Sequence, residues 1–325
     1  MKTTRFLLAI LLTAACCAKL SAQGFTQNPQ NENEGKYSLQ NGQVTMTIDA
    51  QRGAKILSFK YGEQEIISQL RRPEAFGSTF WTSPQKEWYW PPIPEYDKQP
   101  YQVENDGKVL RMTSEISARM KYRIRKEFSI DKKDGAFVIT YSIINESDET
   151  RKVAPWEVTR VENNGGIIFF DAPVDSIWPA GLMDFKQAYG AAWYQPDETG
   201  ENRKVNADGK GWLAYCNKGL LLVKRFEDIT ASQPAPDEAE IQVYVNRGKA
   251  HIELERQGPY RAGESRSLHH PQAPRTVDVD RPLVSPTLSR RTCPLSRVAT
   301  ESSKEQLTVC IRLAHPLLLL LQPIF

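Results

Sequence analysis

The sequence predicts an all-β protein, a single large antiparallel sandwich of two sheets. Three observations predict it. Apolar residues recur with period two through nearly all of residues 36–256, the pattern of half-buried strands. Turn signals separate the runs, at Asp134-Gly135, Asn145-Glu146-Ser147, Asn164-Gly165-Gly166, Asp208-Gly209 and Asn246-Arg247-Gly248. No long amphipathic helix pattern lies between them, so the strands are expected to pair antiparallel rather than through helical crossovers.

In chain order, residues 1–22 read as an export signal. Lys2 and Arg5 precede a short apolar run over 6–15, and Leu20-Ser21-Ala22 before Gln23 fits a cleavage site. Cys16 and Cys17 leave open a lipid anchor, although Thr13-Ala14-Ala15 lacks the aliphatic residue usual before a lipidated cysteine. Either route places the body in the periplasm or outside the cell. Residues 23–35 are expected to be a flexible lead-in, and 36–265 the sandwich.

Within that body Val44, Met46 and Ile48 alternate with Thr45 and Thr47. Tyr122, Ile124, Phe128 and Ile130 share one face, with Lys121, Arg123, Arg125 and Glu127 on the other. Phe137, Ile139, Tyr141 and Ile143 repeat the pattern, as do Ile241, Val243 and Val245, then Ile252 and Leu254. The continuous apolar runs 167–170 and 220–223 read as more deeply buried strands.

Beyond about Ser265 the character changes. Residues 257–325 hold eight Arg and one Lys, whereas 24–256 hold 13 Arg and 17 Lys; the tail also holds eight of the chain's 21 Pro. Such a switch suits a shifted reading frame, and a natural Pro/Ser/Arg linker is the other reading. Residues 266–325 are expected to be largely disordered.

Composition excludes several classes. The chain has 325 residues with Lys+Arg 42 and Asp+Glu 39, a net +3 too balanced to suggest nucleic-acid binding. No apolar run approaches the ~18 residues of a membrane span. There is no Walker loop, dinucleotide fingerprint, G-x-S-x-G elbow or H-E-x-x-H. His251 is the single histidine of residues 24–256 and Cys216 their single cysteine, so no metal site, structural disulfide or cofactor is expected there. A monomer is expected.

Three constellations could carry chemistry. The segment from Phe80 to Pro92 packs Trp81, Trp88 and Trp90 beside prolines and Gln85. Such rings either fill the space between sheets or offer flat faces to a sugar from a loop. On the hairpin 240–256, inward Ile241, Val243 and Val245 leave Gln242, Tyr244 and Asn246 on the opposite face, joined by His251, Glu253 and Glu255. That face is either solvated or a polyol site holding an acid and a base. In the third, alternation sets Trp156 and Arg160 on one face, Glu157 and Thr159 on the other. Arg160 could then fork a carboxylate, orient Glu255 or form a structural ion pair. The row Lys121, Arg123 and Arg125 reads as a solvated face, or as one that attracts an acidic sugar.

Several of these segments carry a resemblance. They are Asn41-Gly42 leading into Met46-Thr47-Ile48-Asp49 and Gly53-Ala54-Lys55-Ile56, then Trp81-Thr82-Ser83-Pro84-Gln85 with Trp88-x-Trp90-Pro91-Pro92. Trp156-Glu157-Val158-Thr159-Arg160 and Glu255-Arg256-Gln257-Gly258-Pro259-Tyr260 complete them. Over about 36–265 the chain resembles the family called domain of unknown function 4380. That family is similar to the galactose mutarotase-like supersandwich proteins of carbohydrate metabolism. The resemblance implies a sugar or glycan ligand and a cofactor-free epimerase or mutarotase. In that reading Glu255 is the base, Glu253 the second choice and His251 an acid. Trp81, Trp88, Trp90, Gln85, Trp156, Arg160, Tyr244 and Asn246 are then candidate sugar-binding residues. A non-catalytic glycan-binding module on the same fold is the alternative, because this fold hosts enzymes and binding modules alike. A third reading is a polysaccharide lyase that uses Tyr244 and Arg160 on an acidic sugar.

Overall fold

The computed structural model describes residues 24–27, 34–72, 75–197, 201–246, 251–263 and 304–314. The proposed signal sequence with Cys16 and Cys17 lies outside them, as does most of the tail. Two antiparallel sheets make the body. The first runs in the spatial order β1 (Gly24–Gln27), β2 (Lys36–Asn41), β3 (Val44–Asp49), β4 (Lys55–Tyr61), β6 (Ser78–Ser83), β11 (Arg151–Glu162), β19 (His251–Gln257), β18 (Ile241–Val245) and β15 (Arg203–Ala207). Two short strands flank it, β5 (Gln64–Glu65) on β4 and β20 (Arg261–Gly263) on β11. The second sheet runs β13 (Lys186–Ala188), β14 (Ala191–Tyr194), β12 (Ile167–Phe170), β16 (Trp212–Asn217), β17 (Leu220–Arg225), β21 (Lys304–Ala314), β10 (Phe137–Asn145), β9 (Tyr122–Ile130), β8 (Leu110–Thr113) and β7 (Gln102–Asn105). The predicted all-β class and two-sheet sandwich are therefore observed. The one α-helix of the described residues is a single turn, α1 (Pro94–Asp97), and no described helix is long and apolar enough to cross a membrane.

The core lies between the sheets, and alternation decides what enters it. Ile124 and Phe128 of β9, Ile139 and Tyr141 of β10, and Ile241, Val243 and Val245 of β18 are all buried. Phe80 stacks on Tyr141 across the gap at 4.5 Å between ring centroids, so even-numbered residues of β6 face inward. Glu157, opposite Phe80 in register, also faces inward. Its carboxylate meets the Lys224 ammonium of the other sheet, with both side chains fully buried. Ser78 and Thr159 donate to Glu157 Oε1 at 2.9 and 2.6 Å, and Lys224 also donates to the Leu254 carbonyl at 3.2 Å. Burying such a pair is tolerable only with this degree of hydrogen bonding.

Three sequence expectations need correction. Gly24–Gln27, placed in a flexible lead-in, forms a strand on β2 with Phe25 opposite Leu39. Trp81, read as part of an irregular segment, lies on β6, whose six residues are all buried. The runs 167–170 and 220–223 alternate in burial instead of being buried throughout, because the second sheet is covered on one face only. Within the tail, Lys304–Ala314 inserts between β17 and β10, with Val309 opposite Ile139 and Ile311 opposite Phe137. Val309 and Ile311 belong to the core. The alternation of Leu307, Val309, Ile311 and Leu313 supplies an apolar face of period two. It also covers the two edges, of β17 and β10, that would otherwise go unpaired.

Candidate functional site

Because Phe80 and Glu157 point inward, their neighbours on β6, β11, β19, β18 and β15 present a second, outer face. The register lines it up in rows. Trp81 lies opposite Trp156, and Trp156 opposite Gln257. In the next row Val158 faces Glu255, and Glu255 faces Gln242. In the third Arg160 faces Glu253, and Glu253 faces Tyr244. The hairpin face read from alternation is therefore assembled by the sheet, and β11 adds Trp156 and Arg160 to it.

This face is not a solvated one. Glu255 is 2% exposed, and Trp81, Trp156, Arg160, Gln242 and Gln257 are also buried. The irregular segment after β6 covers one end: a 3-10 turn (Gln85–Glu87), then Trp88 and Trp90, then α1. Asp97 at the end of α1 accepts from Thr79, from Trp81 Nε1 and from Lys55 at 2.7–3.0 Å. Burial alone would raise its carboxyl, but Lys55 and these donors hold it below the usual range. The segment is thereby tied to the sheet. Trp81 packs edge-on against Trp88, Trp90 and Trp156 at 5.2–6.0 Å. Trp88 is locked, its indole donating to the Thr82 carbonyl at 2.8 Å. Trp90 is 53% exposed and Gln85 half-buried, so of the three tryptophans in the segment Trp90 is the one that presents a ring to solvent.

Glu255 is held by two groups. Trp156 Nε1 donates to its Oε2 at 3.0 Å, and Lys204 Nζ lies 2.9 Å from the same oxygen. Burial raises the Glu255 carboxyl above the ordinary carboxylate range, against the pull of Lys204. Burial works to lower the Lys204 ammonium, but Glu255, Glu238 and Glu253 together hold it above its usual value. Lys204 also stands over the Trp156 ring, 5.1 Å from its centroid, a favourable cation–π placement. A carboxylate and an ammonium in contact, half-closed from water, make an acid–base pair.

Arg160 does not orient Glu255. It meets Glu253, with Nε 3.2 Å from Oε1, because that is its partner in register, and its guanidinium lies 5.3 Å from the Trp81 ring centroid. Tyr244 is half-buried beside Glu253, and its hydroxyl is raised by burial and by that carboxylate. Asn246 stands half-buried at the end of β18. His251 opens β19 opposite Glu162; four residues of strand, ~13 Å, separate it from Glu255.

Sequence reasoning did not bring three members to this face, Lys204, Gln257 and Glu238. Gln242, which alternation placed there, forms one network with the last two: both amides donate to Glu238 Oε2, at 2.6 and 2.9 Å, and Gln257 donates to Gln242 Oε1 at 3.2 Å. Lys204 was findable, since inward Val205 and Ala207 place Lys204 and Asn206 on the polar face of β15. Two buried polar atoms here, Arg160 Nη2 and Gln257 Oε1, have no hydrogen-bond partner. Among the described residues no group of acids, histidines and cysteines could hold a metal ion.

Comparison with solved structures adds the fold. An Escherichia coli K12 protein provisionally designated an aldose 1-epimerase superposes with a TM-score of 0.56 at 12% identity, over 90% of this chain and 100% of its own. A galactose mutarotase-like protein of Clostridium acetobutylicum gives 0.50 at 12% identity, over 90% and 98%. This chain has the galactose mutarotase-like fold. The Slr1438 protein of Synechocystis sp. PCC 6803 shares it, with a TM-score of 0.53 at 11% identity over 91% and 98%. No family model and no curated protein matches the sequence.

Proposed function

We propose that the chain is an exported, monomeric, carbohydrate-active protein that interconverts sugar anomers or epimers without a cofactor. In this reading it is a member of the domain of unknown function 4380 family. The observation that carries the proposal is the Glu255–Lys204 pair, half-closed on the outer face between Trp156 and the polar network of Gln242, Gln257 and Glu238. The fold of the protein supports a role with sugars. The charged, then apolar, then small-residue order of 1–22 supports export to the periplasm or beyond, with a lipid anchor at Cys16 or Cys17 as the variant route.

The chemistry is ring opening and closure driven by proton transfer. Glu255 removes the proton of the anomeric hydroxyl, the C1–O1 bond gains carbonyl character, and the bond from C1 to the ring oxygen breaks. Lys204 gives a proton to the ring oxygen as it leaves. Rotation about C1–C2 and the reverse steps close the other anomer, and both protons return. A carboxyl raised by burial is a stronger base than one in water, which favours the first step. Lys204 is 32% exposed and Glu255 2%, so a sugar approaches from the Lys204 side and Glu255 acts from beneath it. The exposed Trp90 ring and Tyr244 offer contact surfaces at its margins.

The second reading is a glycan-binding module without turnover. One observation favours it: Glu255 Oε2 already accepts from Trp156 and Lys204, leaving that oxygen engaged before any sugar arrives. Exchange NMR on free aldoses separates the two. Catalysed anomer exchange that falls by at least about a hundredfold in Glu255→Gln identifies the isomerase. Ligand broadening with no exchange, equal in both proteins, identifies the binding module and removes the acid–base assignment.

A further inference from the structure

At the end of the sandwich, where β9 and β11 begin, lies an open cavity of about 440 Å³ lined by Glu87, Arg119, Tyr122, Arg151, Lys152 and Tyr260, among others. Its lining includes neither Glu255 nor Lys204. Three of its walls are cationic and one is acidic. Arg119 spends its hydrogen bonds on main-chain carbonyls, those of Trp88 and Glu87, at 2.7 and 2.9 Å. They fix the guanidinium but leave its charge uncompensated. Arg151 donates to the Met120 carbonyl at 3.1 Å and pairs with the exposed Glu149. Lys152 is exposed and makes no ion pair among the described residues. The fourth feature is Tyr122, a wholly buried residue of this wall whose hydroxyl lies beside the Arg151 guanidinium.

The charges define that acceptor. Arg119 and Lys152 favour an anion, while Glu87 on the same cavity disfavours a dianion such as phosphate. Tyr260, half-buried, offers an aromatic face, and Glu87 can accept hydroxyl protons. We propose that this cavity binds an acidic sugar, its carboxylate held by Arg119 and Lys152. The ligand class rests on the sugar reading proposed above. The anion subsite rests on its own geometry.

The test is calorimetric titration of the full chain at low salt with D-glucuronate, with D-glucose and sodium acetate as comparison probes. Glucuronate is expected to bind, with glucose and acetate each weaker by about tenfold or more. Lys152→Glu is expected to weaken glucuronate by at least about tenfold and Lys152→Arg to retain it. Lys152 is exposed, so these variants fold, and unfolding midpoints equal to that of the parent confirm it. Glu255→Gln is expected to leave glucuronate binding unchanged. Equal binding of glucuronate by Lys152→Glu, equal affinity for glucose or acetate, or no glucuronate binding at all each overturns the proposal. Anomer exchange reads the Glu255 face and Lys152-dependent binding reads the cavity. Loss of either result with the other intact therefore shows which assignment has failed.

Discussion

Glu240 offers a direct check on how this protein handles buried charge. It lies in the chain just before β18 and is wholly buried. Its Oε1 accepts from the Ile229 amide at 3.2 Å, while Oε2 is buried without a partner. Burial pushes the carboxyl up from an ordinary 4.5 to about 7, against the pull of the Ile229 amide and Arg256. The folded protein therefore keeps a proton there that the unfolded chain has already lost. Stability from this group is complete below about pH 4.5 and falls as pH rises towards 7. At ~1.4 kcal/mol per pH unit the loss is about 3 kcal/mol between pH 4 and pH 8. Glu240→Gln keeps a carbonyl acceptor for Ile229 and cannot ionise, so this component of the pH dependence disappears. Glu255, also raised by burial, contributes with the same sign in both proteins and cancels in the comparison. Urea unfolding from pH 4 to pH 8 measures it. The parent should lose about 3 kcal/mol more than the variant over that range. Parallel pH profiles for the two proteins would show that Glu240 ionises normally and that the argument from its burial is wrong.

Two further outcomes follow from the packing. Lys224→Met strands the buried Glu157 carboxylate and should cost about 3–5 kcal/mol, whereas adding Glu157→Leu should recover most of it; urea midpoints that are no better for the double variant would refute the pairing. Ile311→Ala should cost about 2–4 kcal/mol, as expected for a core isoleucine, and an unchanged midpoint would remove residues 304–314 from the sheet.

Alternation carried much of the fold. Strands such as β9 and the first half of β10 were legible because one face meets the core and the other is only half-buried, so their burial follows the period of two. β11 was legible as a strand but not as a central one, since every residue from Val153 to Val161 is buried and a strand covered on both sides loses the contrast that alternation reads. β21 went unread for a different reason. Its apolar alternation is present, but the Pro/Arg-rich stretch before it made composition outweigh pattern. The Trp segment was misjudged in part because proline and tryptophan read as a loop, whereas its first half continues β6 and only its second half leaves the sheet.

The candidate site divides in the same way. Residues on one hairpin, Glu253, Glu255 and Tyr244, were readable because a single turn fixes their relative register. Lys204 was not brought to Glu255 by any local rule: it comes from the edge strand next to that hairpin, and only the strand order of the sheet supplies the contact. The covering of the face was equally non-local, since α1 and its Asp97 lie between β6 and the second sheet in sequence yet close the end of the outer face in space. That covering bears on function. An outer face serving only solubility would leave its polar groups hydrated at no cost. Here Arg160 Nη2 and Gln257 Oε1 are withheld from water and from protein partners alike, at a cost of about 1–3 kcal/mol for each such group. They flank the Glu255–Lys204 pair in register. The cost falls beside that pair, and it sets this face apart from one built for solubility alone.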